Sequence, residues 1–327
     1  MKAAMIGAGS WGTALAVLLA RGGHQVRLWD VDTPHLEEIA RTGENRKFLS
    51  GIGIPDGVRV EPELEAAISG VDGTVFAVPS HGLRAAATQV ARSGSPGIPV
   101  CATKGLELAT QERPTRILAA ALNDPDPVLL VGPSHAEEVS RGVPTTVVAA
   151  CGKEVRATDV QQWFSGARFR VYTNGDVTGC EYGAALKNVI AIAAGVCDGL
   201  GYGDNTKGAL LTRGLAEIAR LGTALGGRRE TFFGLTGMGD LITTAISRHS
   251  RNRGLGERLG RGETLSESLD SMVMVAEGVN TARAALGLAR RHQVDLPITE
   301  QMCEIFDGRS PREALDALMT RELKSEV

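Results

Sequence analysis

The sequence predicts an α/β chain: a doubly wound parallel sheet in the first half and an all-helical second half. Three observations predict it. Short β-rich runs alternate with amphipathic stretches up to about residue 177. The strand signal then stops. A glycine-rich turn sits between the first strand and the first helix.

Strands are expected at Ala3–Ile6, Gln25–Trp29, Thr74–Val78, Val100–Thr103, Val128–Val131, Thr145–Ala149 and Phe169–Tyr172. Helices are expected between them at Trp11–Arg21, Pro34–Arg41, Glu61–Ile68, Gly82–Arg92, Arg113–Leu122 and Glu154–Phe164. Such alternation implies parallel pairing through right-handed crossovers. The run Val128-Leu129-Leu130-Val131 is apolar without alternation, which suits a strand covered on both faces. Ala184–Cys197, Lys207–Leu225, Leu255–Leu259, Thr281–Arg291, Thr299–Phe306 and Arg312–Thr320 read as helices, with Pro311 placed where a helix begins. At ~150 residues per domain, 327 residues suggest two domains. The division is expected at 1–178 and 179–327.

Composition excludes several classes. Lys plus Arg is 35 and Asp plus Glu is 38, a net charge of −3, so nucleic acid is not an expected partner. Aromatic residues at 4% are too few for base-stacking platforms. The five Cys are widely spaced without C-x-x-C, so neither disulfides nor a metal site is expected, and the chain reads as cytoplasmic. Ala3–Ala20 carries no charge, but Gly7, Gly9, Ser10 and Gly12 interrupt it, unlike a secretion signal. No other segment reads as approaching the ~20 apolar residues of a membrane span, and no membrane insertion is expected.

Gly7-Ala8-Gly9-Ser10-Trp11-Gly12 fits G-x-G-x-x-G between an apolar strand and a helix, the context of a Rossmann-type dinucleotide site. Gly7 allows the tight turn, Gly9 lets backbone approach a pyrophosphate, and Gly12 lets helix and strand pack closely. The helix N-terminus would face the phosphates. Asp30 ends the second strand close to the ~20-residue spacing at which a carboxylate meets the adenosine ribose. It would accept from a 2′-hydroxyl and repel a 2′-phosphate, so NAD is expected to serve at least as well as NADP. Arg41, Arg46 or Lys47 could fold back over that site.

Lys104 follows a strand end and could reach an anion or a carbonyl. Lys187 and Asn188 lie in a run of Ala, Leu, Ile and Val, where a cation is costly unless paired or lining a cavity. Such a Lys suits proton donation, although it could instead snorkel on an interdomain helix. Asp240 follows Gly237-Met238-Gly239, as a ligand or an ordinary cap. Ser250, Arg251 and Asn252 stand together, which suits an oxyanion or a solvated loop. The scattered His residues have no convincing partner, and His249 is not taken as a base.

With these pieces in order, the sequence resembles the bacterial NAD(P)-dependent glycerol-3-phosphate dehydrogenases. The resemblance runs end to end through GAGSWGTALA, NRKFL, VPS, ATKGLE, GPSHAEE, ALKNVIAIAAGVCDGLG, GLTGMGDL, SRHSRN, VAEG and LPITE. It implies cofactor contacts at Ser10, Trp11, Lys104, Ala136, Arg251, Val275 and Glu277. It implies substrate contacts at Lys104, Gly132, Ser134, Lys187, Asn188, Asp240, Ser250, Arg251 and Asn252. Lys187 resembles the proton donor and acceptor, with Asp240 holding it. A homodimer and a supply of glycerol 3-phosphate to phospholipid synthesis are also implied. Two departures stand out: Asp30-Val31-Asp32 after Trp29, where relatives often carry Arg or His, and Thr243-Thr244-Ala245, where several place Cys. The alternatives are another two-domain dehydrogenase of the β-hydroxyacid type and a non-catalytic nucleotide-sensing module.

Overall fold

The computed structural model describes residues 1–272, 276–323 and 325. Among them, eight strands form one sheet: β1 (Lys2–Ile6), β2 (Gln25–Trp29), β3 (Val58–Val60), β4 (Gly73–Phe76), β5 (Ile98–Cys101), β6 (Val128–Val131), β7 (Thr145–Ala150) and β8 (Phe169–Asn174). Their order is β3-β2-β1-β4-β5-β6-β7-β8. The winding therefore reverses between β1 and β4, and a crevice opens at the carboxyl ends of those two strands.

The helices of this half are α1 (Ser10–Arg21), α2 (Thr33–Thr42), α3 (Leu64–Ile68), α4 (Ser80–Ser93), α5 (Pro114–Leu122), α6 (Ala136–Ser140) and α7 (Glu154–Phe164). Val128 and Leu130 of β6 join one core with Leu15, Leu36 and Val160, from α1, α2 and α7. Leu129 and Val131 join the opposite core with Leu64, Leu83 and Ile117, from α3, α4 and α5. Covering on both faces explains the unbroken apolar strand.

Two expectations for this half are corrected. The sheet is not wholly parallel, because β7 pairs antiparallel with β6. The connecting helix α6 has five residues, a rise of only about 7 Å, too little to carry the chain back along the sheet. Strand β3 and helix α6 were also not anticipated, being short elements with weak periodicity.

The helical half comprises α8 (Val177–Gly199), α9 (Asp204–Ala224), α10 (Arg229–Phe232), a π-helical turn Leu235–Gly239, α11 (Asp240–Ile246), α12 (Arg251–Gly260), α13 (Leu265–Asp270), α14 (Gly278–His292), α15 (Pro297–Phe306) and α16 (Pro311–Met319). Helix α8 begins seven residues before the expected Ala184, capped by Asp176 accepting from Gly179 N–H at 2.9 Å. Its early residues Cys180 and Ala184 pack into the sheet core, and Ala185 onward into the helical core. By length and composition α8 could cross a membrane, contrary to expectation, but the whole of that window is buried inside the protein.

Helix α12 lies against α8 at backbone contact. A Cβ on Gly195 would fall 1.9 Å from Arg253 O, and one on Gly256 1.9 Å from Ile192 O. This packing sets the first turn of α12 beside Lys187 and Asn188. Arg251 and Asn252 thus belong to a helix rather than to the expected loop before Leu255.

Candidate active site

The crevice continues between the two halves as a cleft of about 350 Å³. The glycine loop forms one end. Gly7 has φ +110°, and a Cβ on Gly12 would lie 1.9 Å from Gly7 O. Around a Cβ on Gly9, in contrast, no protein atom beyond the adjacent residues lies within 4 Å. Gly9 N-caps α1 without a side-chain hydrogen bond, which leaves the first N–H groups of the helix uncapped where Gly9, Ser10 and Trp11 line the cleft. Among the described residues, Trp11 Nε1 and His135 Nε2 are buried without a hydrogen-bond partner, and both residues line the cleft. An open cradle, a bare helix start, an orphaned indole N–H and an orphaned imidazole nitrogen fit a dinucleotide.

Asp30 lines the cleft as expected, but both its oxygens already hold backbone. Oδ2 accepts from Ala8 N–H at 2.6 Å and Oδ1 from Asp32 N–H at 3.0 Å. It therefore also shapes the glycine loop. Asp32 caps α2, accepting from His35 N–H at 3.1 Å.

At the other end two lysines meet one carboxylate. Asp240 begins α11 and is 1% exposed. Lys104 Nζ, from the loop after β5, donates to Asp240 Oδ2 at 2.9 Å and to Gly132 O at 2.8 Å. Lys187 Nζ, on α8 and 5% exposed, stands 3.2 Å from Asp240 Oδ1 and donates to Thr244 Oγ1 at 2.6 Å. Thr244 in turn donates to Asp240 Oδ1 at 3.2 Å. Burial pushes the Lys187 ammonium down to about 8; Asp240 opposes the fall and Lys104 adds to it. Burial would raise the Asp240 carboxyl, but the ammonium groups of Lys104 and Lys187 hold it below its ordinary value. Burial also lowers the His135 imidazole, reinforced by Lys187 and Lys104.

The remaining predicted residues surround this group. Asn188 Oδ1 accepts from Asn252 Nδ2 at 3.0 Å, and Asn252 Oδ1 accepts from Gly278 N–H at 3.0 Å. Ser250 caps α12, accepting from Arg253 N–H at 3.1 Å. Arg251 opens into the cleft with Ser134 and Ala136. Ser134 Oγ donates to Gly132 O at 3.0 Å. Glu277 crosses the cleft, accepting from Ser80 N–H at 2.9 Å and Ser80 Oγ at 2.6 Å. Val275 lies outside the described residues.

Sequence reasoning missed Thr244 and His135 as members of this site and assigned Ser80 no contact. Thr244 had a usable signal: it stands four residues after Asp240, one helical turn away. Ser80 had its place in the VPS motif at a strand end, but its hold on Glu277 rests on contacts formed across the fold, as does the place of His135.

A doubly wound sheet with this glycine loop, joined to a helical half that supplies a buried lysine, defines the class of two-part nicotinamide-dependent dehydrogenases. Residues 2–157 match the family description "NAD-dependent glycerol-3-phosphate dehydrogenase N-terminus", and residues 176–316 match its C-terminus. The chain belongs to the NAD-dependent glycerol-3-phosphate dehydrogenase family. It is 48% identical to glycerol-3-phosphate dehydrogenase [NAD(P)+] of Chlorobium limicola over 100% of both chains. It is 49% identical to that of Geobacillus kaustophilus over 99% of this chain and 96% of the relative. The crystal structure of glycerol-3-phosphate dehydrogenase from Coxiella burnetii superposes with a TM-score of 0.94 at 35% identity, covering 98% and 99% of the two chains.

Proposed function

We propose that the protein interconverts sn-glycerol 3-phosphate and dihydroxyacetone phosphate with NAD(P) as the hydride carrier. The observation that carries this reading is the buried Asp240 carboxylate shared by Lys187 and Lys104 at the end of a dinucleotide-shaped cleft. A bound nicotinamide would give or take the hydride at carbon 2 of the three-carbon phosphate.

In the reducing direction Lys187 Nζ donates a proton to the oxygen that develops on carbon 2; in the oxidising direction it takes that proton back. Desolvation makes the ammonium a better acid than a solvated lysine, near the pH at which a proton must move both ways. Asp240 keeps Lys187 aimed and, with Lys104, provides fixed charges around the reacting oxygen. Lys104, Gly132, Ser134, Asn188, Ser250, Arg251 and Asn252 hold the substrate. Arg251 is assigned to its phosphate, since a guanidinium fork matches phosphate oxygens. Gly7, Gly9, Ser10, Trp11, Gly12, Asp30, Lys104, Ala136, Arg251, Val275 and Glu277 hold the cofactor.

The same reading assigns cofactor binding to 1–178 and substrate binding to 179–327. It makes the protein a cytoplasmic homodimer that supplies glycerol 3-phosphate for phospholipid synthesis, and has NADH serve at least as well as NADPH. The names of the full-length relatives support the activity. The test is consumption of NADH or NADPH on adding dihydroxyacetone phosphate, with gel filtration and light scattering for the dimer.

A further inference from the structure

Beside the second strand, the segment after α2 is fastened to the glycine loop. Asn45 is fully buried; its Nδ2 donates to Ala8 O and Thr13 Oγ1, both at 2.8 Å, and its Oδ1 accepts from Phe48 N–H at 3.1 Å. The Phe48 ring meets His35 edge-on at 5.1 Å, and both line the cleft. This anchoring delivers Lys47 to the rim. Its Nζ lies 4.9 Å from the Phe48 ring centre and 3.4 Å from Asp32 Oδ2.

Two carboxylates therefore face this end of the cleft, and they differ. Asp30 is tied to backbone through both oxygens and stays as a fixed acceptor. Asp32 shares its outer oxygen with Lys47 in a pair whose side chains are 42% and 47% exposed. An exposed pair of this length contributes little and is screened by salt, so Lys47 can exchange Asp32 for a better anion at small cost. Neither Lys47 nor Arg46 is itself a lining residue, but Lys47 pairs with Asp32, which lines the cleft, whereas Arg46 is engaged at 3.4 Å with Glu44, which does not.

We propose that Lys47 admits the 2′-phosphate of NADP, which makes the pair Lys47–Asp32 the determinant of cofactor choice. The proposal rests on the reading that the cleft holds NAD(P). With NAD, Lys47 stays on Asp32 and the ribose 2′-hydroxyl donates to Asp30. With NADP, Lys47 turns to the phosphate, whose oxygens accept its hydrogen bonds and whose charge offsets the repulsion from both carboxylates.

The test titrates the full chain by calorimetry with 2′,5′-ADP and with 5′-AMP, and measures kcat/KM with NADPH and NADH. Lys47→Ala should lower 2′,5′-ADP affinity relative to 5′-AMP, and NADPH efficiency relative to NADH, by about tenfold or more, as losing one charge-assisted contact does. Asp32→Asn should move both ratios the opposite way, because Asn still caps α2 but no longer competes for Lys47. Arg46→Ala should leave both ratios in place. Equal weakening of both ligands in Lys47→Ala, or the split appearing in Arg46→Ala instead, would overturn the proposal. So would a wild-type protein that takes 5′-AMP but refuses 2′,5′-ADP, with the dinucleotide reading still standing. Refusal of both probes and both cofactors would bring down that reading as well.

Discussion

Lys187 Nζ and Asp240 Oδ1 stand 3.2 Å apart in a pocket that excludes almost all water from both side chains. A buried pair of this kind gains little stability, because desolvation offsets attraction. Its value is chemical: the lysine is poised, and the carboxylate cannot leave it.

Lys187→Ala should lower kcat by roughly 10²–10⁴-fold, the usual contribution of general acid catalysis, while cofactor affinity changes far less. Steady-state rates and calorimetric binding of NADH check it. A variant keeping more than about a tenth of the native kcat would remove Lys187 from the role.

The pH profile follows from the Lys187 value of about 8. Reduction needs the ammonium, so kcat for dihydroxyacetone phosphate should fall as pH rises through about 8. Oxidation needs the neutral amine, so kcat for glycerol 3-phosphate should rise through the same range. In Asp240→Asn the carboxylate no longer favours the charged lysine, so both inflections should move to lower pH. Profiles in both directions for the two proteins decide the matter.

The second and third glycines of the loop should separate binding from folding. Gly12→Ala drives a Cβ into Gly7 O and should destabilise the protein by about 1–3 kcal/mol or more. Gly9→Ala meets only the open cleft, so it should keep the native melting temperature and lose dinucleotide affinity. Calorimetric melting and NADH titration distinguish them; normal NADH binding in Gly9→Ala would place the dinucleotide elsewhere.

Arg251→Lys should raise KM for the phosphate substrate more than KM for the cofactor, since Lys keeps the charge but loses the planar fork. Unphosphorylated dihydroxyacetone should be a very poor substrate of the native protein. If the ratio of phosphorylated to unphosphorylated activity is the same in the variant, the clamp lies elsewhere.

Much of this site was legible in the sequence, for physical reasons that differ residue by residue. The glycine loop was legible because strand, turn and helix start are adjacent in the chain. Lys187 stood out because a cation in an apolar helix demands a partner. That Asp240 holds it was legible only through the family resemblance; that Asp240 is shared with Lys104, 136 residues away, was not legible, because packing of α8, α11 and the β5 loop creates it. The antiparallel turn of β7 was hidden for a similar reason: α6 is too short to carry a periodic signal. Asp30 was legible as a cleft residue, but its hold on Ala8 N–H depends on a tertiary approach that spacing alone cannot show.

The most direct measurement follows reduced nicotinamide absorbance after mixing the protein with NADH and dihydroxyacetone phosphate, in native and Lys187→Ala forms. The account predicts turnover that requires the phosphorylated ketone and collapses in the variant. Absence of turnover with NADH and with NADPH by native protein that binds both, or equal turnover by the variant, would contradict it.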